Sequence, residues 1–236
     1  MTEIALAFRT ALALIASLDP ALLEIVRVSL GVSLTALACA ALLGLPLGAW
    51  LAIARFPGRR ALVVLLNAGM GLPPVVVGLV VYLALSRSGP LGALGLLFTP
   101  TAMVIAQALL IFPIVAALTR QTVEDLHEEY RDELRSFGAG RARAVTTLLY
   151  DGRHRLVTAL LAGFGRASAE VGAVMIVGGN IAHHTRTMTT AIALETSRGE
   201  LALALALGML LLALSLTVNV AGTVAGEAAR TAEGRA

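Results

Sequence analysis

Four stretches of this chain carry no charged residue: Val28–Ala54, Ala61–Ser86, Ser88–Thr119 and Leu201–Gly226. Each exceeds the roughly 20 residues that a helix needs to cross a hydrocarbon core. Inside a bilayer every backbone amide and carbonyl must be satisfied within the protein, so uncharged runs of this length fold as helices. A fifth run, from about Leu156 to Val177, is apolar except for Arg166 and Glu170. The first span starts before its uncharged run, near Glu24. The third run is too long for one helix; its Ser88-Gly89-Pro90-Leu91-Gly92 start reads as a loop, with a helix from about Thr99. The expected fold is an all-α, polytopic membrane helical bundle of five transmembrane helices, in one membrane domain over residues 21–226. In residues 1–20, Ile4, Phe8, Ala11, Leu12, Ile15 and Leu18 recur at helical spacing opposite Arg9, which predicts a short interfacial helix in preference to a sixth span. No cleaved signal peptide is expected, because this segment lacks a basic start and a small-residue cleavage site. Residues 227–236 form a tail.

Composition narrows the chemistry. Charged residues make up 14% of the chain and hydrophobic ones 58%, against about one quarter charged for soluble domains. All 18 basic residues are arginine. Without lysine the chain cannot build a Walker A loop or form imines, so it neither hydrolyses ATP in that way nor uses pyridoxal chemistry; no cofactor is expected. One cysteine, Cys39, excludes an internal disulfide and an all-cysteine metal cage. Aromatics are only 4%, and the arginines cluster beside apolar segments, a pattern of membrane topology and not of nucleic-acid binding. Twelve arginines fall on one side of a five-span arrangement: three in Arg55–Arg60, seven from Arg120 to Arg155, and Arg230 and Arg235. Five fall on the other: Arg9, Arg27, Arg87, Arg186 and Arg198. The positive-inside rule then puts the N-terminus outside, the C-terminus in the cytoplasm, and the connection between the third and fourth spans in the cytoplasm.

That connection, about residues 120–155, holds fourteen of the 33 charged residues, yet Leu126, Tyr130, Leu134 and Phe137 recur in it at helical spacing. The pattern describes an amphipathic helix outside the membrane, with Gly138 and Gly140 breaking it before a second short helix. Its stripe either rests on the chain's own bundle or enters a groove of a partner. Asp132-Glu133-Leu134-Arg135-Ser136-Phe137-Gly138 resembles the acid-to-glycine loop of the permease subunits of binding-protein-dependent ABC importers. The paired alanines of that loop are replaced by Glu133-Leu134, and Tyr150-Asp151 stand where the family often has leucine-proline. The resemblance implies a type I importer permease fold and a coupling helix that docks on a separate cytoplasmic ATPase subunit. Leu126, Tyr130, Asp132, Glu133, Leu134, Phe137 and Gly138 would carry that contact.

A second stretch starts at Glu170-Val-Gly-Ala-Val-Met-Ile-Val-Gly178-Gly179-Asn180 and continues through Thr185-Arg186-Thr-Met-Thr189-Thr190 to Gly199. With Gly71-Leu-Pro73-Pro74, Ser29-Leu-Gly-Val-Ser33 and Gly44-Leu-Pro46-Leu-Gly48, it is similar to the oxyanion permeases, closest to the tungstate type and related to the molybdate and sulfate types. The resemblance covers about residues 24–225. It implies a homodimer with the path between the copies, an external oxyanion-binding protein, and a substrate pathway past Gly178, Gly179, Asn180, Thr185, Arg186, Thr189 and Thr190. Taken as chemistry alone, these residues offer close backbone approach, an amide and hydroxyls, and they equally suit an external loop of turns and caps. Arg166 and Glu170, one helical turn apart, can neutralise each other within a span, either as a fixed lock or in contact with substrate. His183 and His184 lack a spaced partner and read as solvated loop residues; no metal site is expected. Pro46, Pro73, Pro74 and Pro113 are expected to kink or interrupt spans, and the glycines of the first two spans to mark close helix contacts. An intramembrane hydrolase would need Ser168 to find a histidine outside the span. A secondary transporter would leave the charged loop without a purpose.

Overall fold

The computed structural model describes residues 3–136, 138 and 140–233. Among them the chain forms eleven α-helices and one 3-10 turn, with no strand. In order these are α1 (Glu3–Ala16), α2 (Pro20–Ile53), α3 (Arg59–Gly69), α4 (Pro74–Leu85), α5 (Pro100–Glu129), α6 (Arg131–Ser136), α7 (Arg141–Asp151), α8 (Arg153–Ser168), α9 (Gly172–Gly178), α10 (Met188–Arg198) and α11 (Leu201–Glu233). The 3-10 turn is Gly92–Leu94, in the expected Gly/Pro loop before α5. Helices α2, α5 and α11 are long and apolar enough to cross a membrane singly. The other two spans are broken: α3 and α4 meet at 103°, α8 and α9 at 58°. Counting each bent pair as one span gives the five expected crossings. Pro73 and Pro74 explain the first break, because proline cannot continue the hydrogen-bond ladder; Pro46 and Pro113 lie inside α2 and α5.

The residues group into two compact units. The first comprises 1–36, 73–107 and 166–217. Its core gathers Ala11, Leu22, Met188, Ala191, Ala206 and Leu207 from α1, α2, α10 and α11. Helix α1 buries Ala11 here while Leu6 and Leu12 stay 57% exposed, so it rests on its own bundle and offers a second apolar face outward. Helix α4 packs closely on α9: a Cβ on Gly78 would stand 2.7 Å from the Ala173 Cα.

The second unit comprises 37–72, 108–165 and 218–236. Gly44 and Gly48, one turn apart on α2, let it approach α5, where a Cβ on Gly48 would collide with the Ala116 carbonyl. The expected close helix contacts at these glycines are therefore present. Arg59 closes the end of α2, donating from Nε to the Leu51 carbonyl at 2.8 Å and from Nη2 to Ala52 at 3.3 Å and to Glu124 at 2.9 Å. A guanidinium on the last carbonyls of a helix satisfies orphan acceptors and complements the helix dipole.

The stretch from Thr185 to Gly199 is not irregular throughout. It contains α10, started by Thr187, whose hydroxyl accepts from the Thr190 amide while the Thr190 hydroxyl accepts from the Thr187 amide. Gly199, at φ 83°, ends it in the left-handed conformation.

Candidate functional site

The break between α8 and α9 leaves the first amides of α9 without helical partners, and Glu170 answers one of them, that of Ala173. Its side chain is 3% exposed. Oε1 accepts from the Ala173 amide at 2.9 Å, and Oε2 accepts from Arg166 Nη1 at 2.5 Å. Its backbone carbonyl accepts from the Thr189 hydroxyl at 2.8 Å, which ties α10 to the same joint. The carboxylate is thus bonded to the chain's own groups.

Beyond α9 the chain turns through Gly179 (φ 71°), Asn180 (φ 50°) and His183 (φ 60°). The threonines that follow are mostly spent on this turn and on α10. Thr185 is fully buried, donates to the Gly178 carbonyl at 2.5 Å and accepts from the Ile181 amide at 3.0 Å. Thr190 is fully buried in the cap of α10, and Thr189 donates to Glu170. The Asn180 amide nitrogen reaches the Thr190 carbonyl at 3.5 Å, while its Oδ1 is buried without a partner among the described residues. Arg186 is half-buried, and its Nε likewise has no partner there. His183 Nδ1 lies 2.6 Å from Glu24 Oε2, and His184 is exposed. No group of three or more metal-ligating side chains occurs among the described residues.

Uncommitted polar groups lie next to this stretch. A narrow crevice in the first unit is lined by Ser29, Ser33, Gln107, Ser168, Thr187 and Thr189, with apolar walls from Leu30, Met188 and Leu214. Ser29, Ser33 and Gln107 are 6%, 6% and 3% exposed. Ser29 accepts from the Met188 amide at 2.7 Å, which leaves its own proton free to donate. Ser33 and Ser168 make no hydrogen bond to the described residues. Gln107 donates from Nε2 to the Ala167 carbonyl at 3.1 Å, and its Oε1 is buried without a partner among those residues. Among the described residues the lining carries no charge, so it offers several neutral donors in a water-poor setting. Of this lining, sequence reasoning had placed only Thr189 on the substrate pathway; it did not assign Ser29, Ser33 or Gln107 to a site. The available signal was the one-turn spacing of Ser29 and Ser33, which puts both on one face of an apolar helix, together with a lone amide in the third span.

In the second unit, the connection between α5 and α8 keeps a glycine turn before a second helix, but the single amphipathic helix expected ahead of it is split: Leu126 belongs to α5, which runs on to Glu129, Tyr130 lies at the break, and Leu134 is in α6. Gly138 takes φ 61° between α6 and α7. The apolar stripe faces inward: Leu126 is 4% exposed in a cluster with Ala49, Ala52, Val123 and Leu148, and Tyr130 and Leu134 pack against it. Phe137 lies outside the described residues. The outer surface of the hairpin presents Asp132, Glu133, Ser136 and Gly138, all exposed.

Residues 44–226 match the family described as "Binding-protein-dependent transport system inner membrane component". The chain is 44% identical over 200 residues to the tungstate uptake system permease protein TupB of Peptoclostridium acidaminophilum, which covers 85% of this chain and 88% of the relative. It is 44% identical over 185 residues to a probable anion ABC transporter permease protein of Haloferax volcanii, covering 76% and 80%. The molybdenum transport system permease protein ModB of Escherichia coli K12 is 30% identical over 182 residues, covering 71% and 80%. This chain belongs to the inner-membrane permease components of binding-protein-dependent ABC transport systems.

Proposed function

We propose that the chain is the permease subunit of a tungstate importer, working as a homodimer with the anion path between the copies. The observation that carries this reading is the 44% identity to a tungstate permease over 85% of the chain. An external binding protein delivers the oxyanion. A cytoplasmic ATPase pair supplies the energy, since this chain has no lysine for a phosphate loop.

The geometry supports a division of labour within the hairpin. Leu126, Tyr130 and Leu134 anchor it to the chain's own core, while Asp132, Glu133, Ser136 and the Gly138 turn form the surface offered to the ATPase. Movement of the ATPase is then passed through a rigidly seated lever. In the first unit, the Gly178–Thr190 stretch shapes the path more than it binds the ion, because most of its hydroxyls are committed. Ser29, Ser33 and Ser168 are the donors left for a passing oxyanion. Neutral donors suit a dianion that must be released, because conduction needs weak, multiple sites and an arginine cluster would hold it. Arg186 draws anions from solution towards this stretch, an effect that fades with salt.

The test is labelled tungstate uptake into proteoliposomes containing permease, ATPase and binding protein. Uptake should need all three, and molybdate should compete less well than tungstate. Ser33→Ala should lower uptake several-fold while leaving copurification of the ATPase unchanged. Uptake without the ATPase would replace the importer by a secondary transporter, and full uptake by Ser33→Ala would move the path away from the crevice.

A further inference from the structure

At the end of α2 the uncharged run gives way to Arg55-Phe56-Pro57-Gly58-Arg59-Arg60. An open cavity of about 390 Å³ lies at this boundary, within the second unit. Its walls are Trp50, Ile53 and Phe56 from the end of α2 and the turn after it, and Ala142 and Val145 from α7. Trp50 stacks on Phe56, with ring centroids 5.1 Å apart and planes at 23°, yet remains 48% exposed. Among the described residues the one charge in the lining is Arg55, which is exposed and makes no hydrogen bond or ion pair to any of them. Arg59, four residues on, is consumed by the α2 carbonyls and Glu124. The loop thus commits one arginine to the fold and leaves another free beside an apolar, aromatic hollow.

We infer that this cavity is a binding site for an anionic phospholipid of the inner leaflet, with acyl methylenes against Trp50, Phe56 and Val145 and the phosphate on Arg55. Three features choose this occupant. Tryptophan at the end of a span sits at headgroup depth. The lining charge is positive and unopposed, which complements an anionic lipid and gives a zwitterionic one no added hold. The hollow is apolar below its one polar group, as a lipid is. Because α7 forms a wall, a bound lipid braces the end of α2 against the second helix of the hairpin, so the site regulates coupling by steadying the lever. The inference rests on the cytoplasmic placement of this face in the proposed topology, though not on the identity of the transported ion.

Trp50 is the only tryptophan, so its fluorescence reports this cavity alone. The purified full chain is placed in phosphatidylcholine bilayers containing brominated phosphatidylglycerol or, separately, brominated phosphatidylcholine. Quenching should be reached at about fivefold lower mole fraction with the brominated phosphatidylglycerol, the preference expected of one arginine near the surface. Arg55→Gln should abolish that preference. Arg60→Gln, an exposed arginine outside the lining, should leave most of it. Equal quenching by the two lipids, or equal effects of the two substitutions, would overturn the site in favour of general surface attraction. No quenching by either, with a spectral shift on adding the ATPase subunit, would overturn it in favour of a protein contact. Loss of lipid preference with tungstate uptake intact, or the reverse, separates failure of this inference from failure of the transport reading.

Discussion

The two members of the Arg166–Glu170 pair are not equivalent, because Glu170 is 3% exposed and Arg166 is 26% exposed. Removing the arginine leaves a buried carboxylate without its counter-charge, a loss of about 3 kcal/mol or more for such a pair. Glu170→Gln keeps an acceptor for the Ala173 amide and leaves a guanidinium that can turn towards solvent. Arg166→Met is therefore expected to lower the melting temperature in detergent more than Glu170→Gln does, and the reverse order would show that the joint is not held by this charge. Asn180 poses a different residue-scale question, since its φ of 50° is tolerated by asparagine and glycine and strained for β-branched residues. Asn180→Gly keeps the backbone and deletes the amide, whereas Asn180→Val strains the backbone as well. Melting should be near wild type for Asn180→Gly and clearly lower for Asn180→Val. With the fold preserved, uptake by Asn180→Gly then reads the contribution of the amide to the path.

At the scale of the element, one substitution should have opposite signs at two places in α2. Gly31 has nothing within 4 Å of an added Cβ, while at Gly48 the same atom meets the Ala116 carbonyl and Thr119. Gly31→Ala gains helix propensity, at most about 1 kcal/mol. Gly48→Ala overpacks the contact with α5 and costs about 1–3 kcal/mol. Paired thermal melts check this, and destabilisation of equal size at both would mean that propensity and not packing governs the helix. The close contact at Gly48 was readable in the sequence, as were the long spans and the Pro73-Pro74 break, whereas Gly31, expected to mark a contact too, faces open space. The 58° bend between α8 and α9 was not readable, because no proline marks it and the carboxylate that bonds forward to the Ala173 amide at the joint is seen only in the packing. Helix α10 was hidden for a related reason: its cap uses threonine at both ends of the box, where glutamate or glutamine commonly takes the second place. In the hairpin, the period of Leu126, Tyr130 and Leu134 reported truly that one face is covered. Periodicity cannot say what covers it, and only packing showed these side chains turned onto Val123 and Leu148.

For the molecule as a whole, exposed apolar side chains such as Leu42 at 76%, Leu65 at 67%, Leu212 at 72% and Leu216 at 66% mark surfaces whose solvent is lipid, since water would penalise each of them. In the proposed topology the arginines fall twelve against five across the bilayer, the bias expected to orient such a chain. The orientation is testable with single thiols, after Cys39, an exposed residue of α2, is replaced by alanine. Asp132 and His184 are both exposed and belong to the arginine-rich and arginine-poor sides respectively. In right-side-out membrane vesicles, a membrane-impermeant maleimide should label the His184→Cys variant and spare Asp132→Cys until the vesicles are opened. Once they are open, added ATPase subunit should slow labelling at Asp132→Cys, because that residue lies on the outer surface of the hairpin and not on the face packed against α5. Labelling of Asp132→Cys in sealed vesicles would invert the topology. Labelling only after opening, with no protection by the ATPase, would keep the topology and move the docking surface elsewhere on the cytoplasmic face.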